Sequence, residues 1–270
     1  MKSIIVTGAS SGIGKAASFR LASEGYRVYG LARSYARLSE IAGELANFVP
    51  VEFDITKPDR FGQVLDPIIE SGDFFGLINN AGYVEPGAIE DLSMENIRAQ
   101  FETNFFGLVG VTKKVLPVLM AQKEGRIVNV SSMAGMVSLP TIGIYCATKH
   151  ALEAFTEALR IELWYTGIKV ASINPGVIES NIHHVTDEKV SQLKGSRFSK
   201  AYEKYLMQRD KVQRGLPASI VADAIYDAVS SPRPKYRYLL GSTREKAAVR
   251  LRRIIAPDDF IHSLVARRVH

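Results

Sequence analysis

Residues 3–14 read Ser3-Ile4-Ile5-Val6-Thr7-Gly8-Ala9-Ser10-Ser11-Gly12-Ile13-Gly14, and this run decides the fold. An apolar, β-branched strand ends at a hydroxyl residue and passes through a glycine-rich turn into a helical pattern. Glycines at such a junction let the chain turn tightly and bring backbone N–H groups against a diphosphate. The N-terminus of the following helix favours that negative charge. Glycine-rich turns are common, so the weight comes from the position of this one at the first strand-to-helix junction. Gly8, Ser10, Ser11, Gly12, Ile13 and Gly14 are therefore candidate dinucleotide-binding residues.

Outward from this turn the same rhythm repeats. Apolar runs at Arg27–Ala32, Val49–Phe53, Phe75–Asn79, Arg126–Ser131, Lys169–Ile173 and Tyr236–Leu240 read as further strands. Helical patterns over 12–24, 34–46, 58–71, 94–122 and 146–166 lie between them, and another begins near Pro217. Pro58 suits a first helical position, and Gly25 suits the stop after Glu24. Repeated βα units with fully apolar strands call for a doubly wound parallel α/β sheet (Rossmann fold) of about seven strands, with helices on both faces. One domain over 1–241 is the economical count. Two regions depart from the rhythm. Residues 181–215 are polar and irregular, with Phe198, Tyr202, Tyr205 and Leu206 on one helical face. Residues 242–270 look like a helical extension, opened by capping-box spacing from Ser242 to Glu245 and resumed at Pro257-Asp258-Asp259.

Composition agrees with a globular chain. At 270 residues and 29.7 kDa, it can bury roughly three quarters of its unfolded surface without disulfides or zinc. Hydrophobic residues make up 46%, charged residues 23%, and mean hydropathy is +0.01. The longest uncharged stretch, Ile127 to Thr148, is broken by polar residues, Gly and Pro and is rejected as a membrane helix. The single cysteine, Cys146, fits a reducing compartment. The N-terminus enters a strand at once with no signal-peptide pattern, so a soluble cytoplasmic protein is expected. Residues 231–270 carry a net charge of +7 against +6 for the whole chain, so the body is nearly neutral. That distribution argues against a nucleic-acid binder, which needs a basic face across the domain. His183 and His184 are adjacent but lack a third ligand, so no metal site is expected.

The end of the second strand reports on which dinucleotide is held. An acidic residue there would bind a ribose 2′-hydroxyl and repel a 2′-phosphate. Here stand Leu31-Ala32-Arg33. Ala32 removes the repulsion and Arg33 can meet a phosphate with a charge-assisted fork, which favours NADP(H) over NAD(H).

Tyr145-Cys146-Ala147-Thr148-Lys149 carries the second signal. The Tyr-to-Lys spacing alone means little, since Tyr165 and Lys169 repeat it. Gly167 places that second pair across a turn, whereas Tyr145 and Lys149 share one helical face as an i, i+4 pair. A phenol with pKa near about 10 is a poor base at neutral pH, and lowering it by about three units takes roughly 4 kcal/mol. A nearby ammonium supplies part of this.

In combination these residues resemble the short-chain dehydrogenase/reductase family, from about residue 2 to residue 240. The likeness rests on Thr7–Gly14, Asp54, Asn79-Asn80-Ala81-Gly82, Asn104, Ser131-Ser132, Tyr145 with Lys149, and Pro175-Gly176, in that order. The resemblance implies that Tyr145 donates or accepts the proton and that Ser132, thirteen residues earlier, polarises the substrate oxygen. It implies that Lys149 holds the nicotinamide ribose and lowers the tyrosine pKa, and that Asn104 positions a water joining Lys149 to solvent. Asp54 would contact the adenine, Asn80, Ala81 and Gly82 the adenosine-side ribose region, and Pro175, Gly176 and Ile178 the nicotinamide. The usual threonine two residues after Ile178 is Ser180, which keeps a hydroxyl. Read locally, Asp54 could equally cap the next helix, and Asn104 could satisfy backbone groups.

The family likeness also makes 181–215 a substrate lid. Met133, Met136, Val137, Leu139, Ile142 and Ile144 form an apolar wall beside the reaction centre. Such a pocket suits a bulky apolar alcohol, ketone or aldehyde of steroid, retinoid or fatty type. The overall layout is similar to the hydroxysteroid and retinol dehydrogenase branch. Two other readings stay open: a 3-ketoacyl-thioester reductase, through basic lid residues, and a non-catalytic NADP(H)-binding sensor or scaffold. The family implies a homodimer or homotetramer, through helices 94–122 and 146–166. The apolar stripe Ala247, Ala248, Leu251, Ile254, Ile255 is expected to dock on the protein itself rather than on a membrane.

Overall fold

Seven strands, all parallel, form the sheet of the computed structural model, which describes residues 1–179, 190, 193, 195–212 and 215–254. In chain order they are β1 (Ser3–Thr7), β2 (Arg27–Ala32), β3 (Phe48–Glu52), β4 (Phe74–Asn79), β5 (Gly125–Val130), β6 (Ile168–Pro175) and β7 (Arg237–Leu240). Their spatial order is β3-β2-β1-β4-β5-β6-β7. The windings leave β1 in opposite directions, toward β2 and toward β4, so the carboxyl ends of β1 and β4 part to open a crevice. Strand boundaries match the sequence reading to within one or two residues.

Both faces of the sheet are covered, and the strands show why they are apolar throughout. Ile4 and Val6 point into one core layer and Ile5 into the other; Ile78 and Leu77, and Val128 and Ile127, divide likewise. The first layer is closed by α1 (Gly12–Ser23), α2 (Tyr35–Glu44) and, late in the chain, a helix over Ala218–Ser230. The second is closed by α3 (Phe61–Ile69) and by two long helical runs. Pro58 opens a short 3-10 turn before α3, and Gly25 takes φ +86° just past α1, where a left-handed residue ends the helix.

The run expected over 94–122 is not one regular helix. It comprises α4 (Met94–Phe101), a π turn over Glu102–Phe106, and α5 (Gly107–Gln122). By length and composition this run is apolar enough to cross a membrane; here it lays Leu108, Val111, Val115 and Leu119 on the sheet. The helix expected at 146–166 spans Gly143–Glu162 (α6), so Tyr145 already lies inside its first turn. Helices α7 (Ser199–Val212), α8 (Ala218–Ser230) and α9 (Thr243–Ile254) follow in the second half of the chain. The second short helix expected at Pro257 lies outside the described residues, as do His183 and His184.

Candidate active site

The crevice begins where β1 and β4 end, and the two strand ends are stitched together. Thr7 Oγ1 accepts hydrogen bonds from the N–H groups of Asn80 and Ala81 at 2.9 and 3.0 Å. Asn80 Nδ2 donates back to the carbonyls of Thr7 and Gly8 at 2.9 and 3.3 Å. Gly8 and Gly12 adopt left-handed φ of +68° and +52°. A Cβ on Gly14 would fall 2.2 Å from the Gly8 carbonyl oxygen, so the turn can close only around glycine.

The local chemistry of this turn fits a dinucleotide diphosphate. Ser11 caps α1 in an extended conformation without committing its side chain to the helix, and no acidic residue occupies the first turn. The N-terminal N–H groups of α1 therefore keep both their directionality and their positive end for an anion. At the neighbouring strand end Arg33 is exposed, and its charge is felt by both Asp54 and Tyr83. Asp54 is engaged locally: its Oδ1 accepts from the Thr56 N–H at 3.0 Å and the Thr56 hydroxyl at 2.8 Å. Burial would raise its carboxyl; the two Thr56 bonds, then Arg33 and Lys57, outweigh that and hold it below the usual range.

On the other side of the crevice β5 delivers Ser131 and Ser132, and the two hydroxyls have different fates. Ser131 Oγ is buried against the 3-10 turn Met133–Gly135. Ser132 Oγ accepts from the Ala134 N–H at 3.1 Å and donates to the Pro175 carbonyl at 3.4 Å, and it is near enough to Tyr145 to lower that phenol's pKa. One helical turn after Tyr145, Lys149 Nζ donates to the Val130 carbonyl at 2.9 Å and lies 5.8 Å from the Tyr145 ring centroid. Burial lowers the lysine from its ordinary value to about 8, against an opposing pull from Glu153. Burial likewise pushes Tyr145 up to about 12, with Ser132 working the other way and Cys146 adding to the rise. The expected lowering of the phenol is therefore not present in the protein alone. Desolvation of the phenolate wins, so the Tyr145 hydroxyl keeps its proton at neutral pH.

Asn104 sits in the π turn, fully buried. It brackets Tyr83, accepting from its N–H at 3.0 Å and donating to its carbonyl at 2.9 Å, and also donates to Thr148 Oγ1 at 3.3 Å. Gln100, one turn earlier, donates to the same Tyr83 carbonyl at 3.0 Å. Gly82 lies between Asn104 and Lys149: a Cβ there would be 3.1 Å from Asn104 Oδ1 and 3.8 Å from Lys149 Nζ. The sequence reading passed over Gln100; its one signal is the four-residue spacing from Asn104 on the same helical run.

The chain just after β6 and the chain just before α8 pair through a short bridge, with Glu179 N–H on the Leu216 carbonyl and Leu216 N–H on the Val177 carbonyl, both 3.0 Å. Tyr202 ties α7 to the loop after Gly87: its hydroxyl accepts from the Ala88 N–H at 2.7 Å and donates to Asp91, which also takes Ser196 Oγ at 2.7 Å. Of the apolar wall, Met133 turns inward, where a Cβ on Gly241 would meet its Cε at 2.7 Å, while Leu139 is exposed. Behind the loop of Pro175, Gly176 and Ile178, the Ser242–Glu245 capping box is formed, and Glu245 also accepts from the Val177 N–H at 3.3 Å. Val249 on α9 is buried, whereas Ala247 of the expected apolar stripe is exposed and the other stripe side chains lie outside the described ones. Ser180 lies outside the described residues. Among the described residues no three His, Cys, Asp or Glu side chains gather to hold a metal.

A doubly wound sheet, a glycine turn at its switch point and a Ser-Tyr-Lys cluster across the crevice define a nucleotide-dependent oxidoreductase. The chain belongs to the short chain dehydrogenase family, whose model matches residues 2–191. It is 34% identical over 242 residues to a 3-ketodihydrosphingosine reductase of Bacteroides thetaiotaomicron, covering 88% of this chain and 87% of that one. It is 32% identical over 249 residues to an NADPH-dependent 3-dehydrocapnine reductase of Ornithobacterium rhinotracheale, covering 89% and 88%. Among solved structures, a short-chain dehydrogenase from Streptomyces avermitilis superposes with TM-score 0.81 at 27% identity, over 98% of this chain and 95% of that one.

Proposed function

We propose that this protein is an NADP(H)-dependent reductase of bulky apolar ketones or aldehydes, with fatty-chain carbonyl compounds as the favoured class. The observation that carries this reading is that Tyr145 and Lys149 stand one turn apart on α6, with the Lys149 ammonium 5.8 Å from the Tyr145 ring centroid and Ser132 close enough to act on the phenol. Gly8, Ser10, Ser11, Gly12, Ile13 and Gly14 would hold the diphosphate, Arg33 a 2′-phosphate, and Pro175, Gly176 and Ile178 the nicotinamide. The bound dinucleotide supplies the hydride. The chain's own residues do the rest. Ser132 fixes the carbonyl oxygen by a hydrogen bond, Tyr145 donates the proton to that oxygen, and Lys149 holds ribose hydroxyls while its charge eases the phenolate that remains. Asn104, through its grip on Tyr83, keeps the loop after Gly82 in place beside Lys149.

Two relatives named as reductases of 3-ketodihydrosphingosine and 3-dehydrocapnine support the carbonyl class, and the second name supports NADPH. The test is NADPH oxidation with long-chain ketones, aldehydes and acyl thioesters. Turnover of the free ketones or aldehydes is expected; turnover confined to acyl thioesters would transfer the proposal to a ketoacyl-thioester reductase.

The same proposal includes a homodimer or homotetramer. Phe106 in the π turn, Met120 on α5, Ile161 on α6, and Trp164 and Tyr165 just beyond it are each exposed large apolar side chains on these elements. Light scattering coupled to size-exclusion chromatography is expected to give two or four chains, and a 29.7 kDa particle at micromolar concentration would refute it.

A further inference from the structure

Beneath the Ser132-Tyr145-Lys149 cluster lies a second polar set that the proposed reaction leaves unused. Glu153 stands one turn after Lys149 on α6 and is buried. Its Oε1 accepts from Ser172 Oγ at 2.6 Å and from Asn174 Nδ2 at 2.7 Å, both on β6. Its Oε2 accepts from Arg237 on β7, at 3.1 Å from Nε and 2.6 Å from Nη2. Asn174 Nδ2 also reaches the Ser132 carbonyl at 3.3 Å. One carboxylate thus links α6, β6, β7 and the strand end that carries Ser132. Gly135 lets the parts close up, since a Cβ there would meet the Lys149 carbonyl at 2.8 Å and Glu153 Cγ at 3.1 Å.

Elsewhere α6 docks on the sheet through apolar side chains such as Leu152 and Leu159. Burying an ion pair is no cheaper route to the same docking, because the desolvation of both charges offsets their attraction. We infer that Glu153, held by Arg237, is a positioning residue that sets the Lys149 ammonium and the Ser132 backbone for proton transfer. The inference rests on the reading of Tyr145, Ser132 and Lys149 given above.

The charges around Lys149 make it testable. On its own helix are Tyr145, Cys146 and Glu153; from β7 come Arg237 and Tyr236, on the far side of Glu153. Val130, Gly82 and Asn104 present only neutral groups from β5, the loop after β4 and the π turn. Glu153 opposes the lowering of Lys149 by burial. Removing the carboxylate therefore makes the ammonium lose its proton at lower pH, and removing Arg237 makes it hold the proton to higher pH.

The experiment is a pH titration of the Lys149 Cε resonance in 13C-lysine-labelled protein, assigned with Lys149→Arg, in wild type, Glu153→Gln and Arg237→Met. Turnover is measured in parallel with Tyr145→Phe as control. The Lys149 midpoint is expected to move down by about one pH unit in Glu153→Gln and up in Arg237→Met. In Glu153→Gln, kcat should fall about tenfold, the KM for NADPH should stay within about twofold, and the alkaline limb should shift with the resonance. An unmoved midpoint in folded variants, or wild-type kcat in Glu153→Gln, overturns the inference. If Glu153→Gln does not fold, the upward shift in Arg237→Met decides alone. Turnover retained by Tyr145→Phe would instead sink the reading of the site, whatever Glu153 does.

Discussion

Tyr145→Phe is expected to lower kcat about 1,000-fold while NADPH binds within about twofold of wild type. The substitution removes one oxygen from a side chain on the first turn of α6 and leaves its ring in place. The lost atom is the one that Ser132 acts on and that would deliver the proton. About 1,000-fold corresponds to about 4 kcal/mol of transition-state stabilisation, within the range of a positioned general acid. The control on binding comes from geometry. The glycine turn after β1 and the N-terminus of α1 lie across the crevice and do not depend on the phenol. Fluorescence titration with NADPH and a single-substrate rate measurement suffice. A loss of less than tenfold would remove Tyr145 from the chemistry, and a wild type that binds NADPH yet turns over no carbonyl compound would favour the sensor or scaffold reading.

The protonation of the proposed pair follows from the same surroundings. Burial raises the phenol to about 12 and brings Lys149 to about 8. In the protein alone the pair is thus a protonated phenol backed by an ammonium that is largely charged at pH 7, the state from which the proposed reduction would start.

How much was legible in the sequence differs between the fold and the site. The strands could be read because each is buried on both faces and so carries an unbroken apolar run bounded by polar or glycine residues. The π turn could not, because Glu102–Phe106 keeps a helical apolar spacing and differs only in which carbonyl each N–H meets. Lys149 was found through its spacing from Tyr145, whereas Glu153, at the next identical interval, looked like any exposed helix acid. Its burial depends on Arg237, eighty-four positions away, which only the pairing of β6 with β7 brings beneath α6. The local reading of Asp54 as a cap of the next helix is not what the structure shows: Lys57 and Arg60 hold the cap positions of the 3-10 turn and of α3, and the Asp54 carboxylate takes the Thr56 N–H and hydroxyl instead.

Arg33→Ala is expected to raise the KM for NADPH about 10- to 100-fold while leaving that for NADH within about threefold. Charge-assisted hydrogen bonds to phosphate are worth about 1.5–3 kcal/mol, and each 1.4 kcal/mol is tenfold in affinity. Arg33 follows β2 directly, where the crevice opens, and it is exposed, so its guanidinium surrenders little burial when it moves onto a ligand. Its charge acts on both Asp54, beyond β3, and Tyr83, beyond β4. Ala32 is the complementary half of the selection. Replacing it with Asp puts a carboxylate where a 2′-phosphate would lie and offers an acceptor to a ribose 2′-hydroxyl, so Ala32→Asp should invert the preference toward NADH. Steady-state kinetics of the single and double variants with both cofactors and one carbonyl substrate separate the two contributions. Equal losses with NADPH and NADH in Arg33→Ala would show that Arg33 supports the strand end rather than reads the phosphate, and a tenfold wild-type preference for NADH would overturn the cofactor assignment itself.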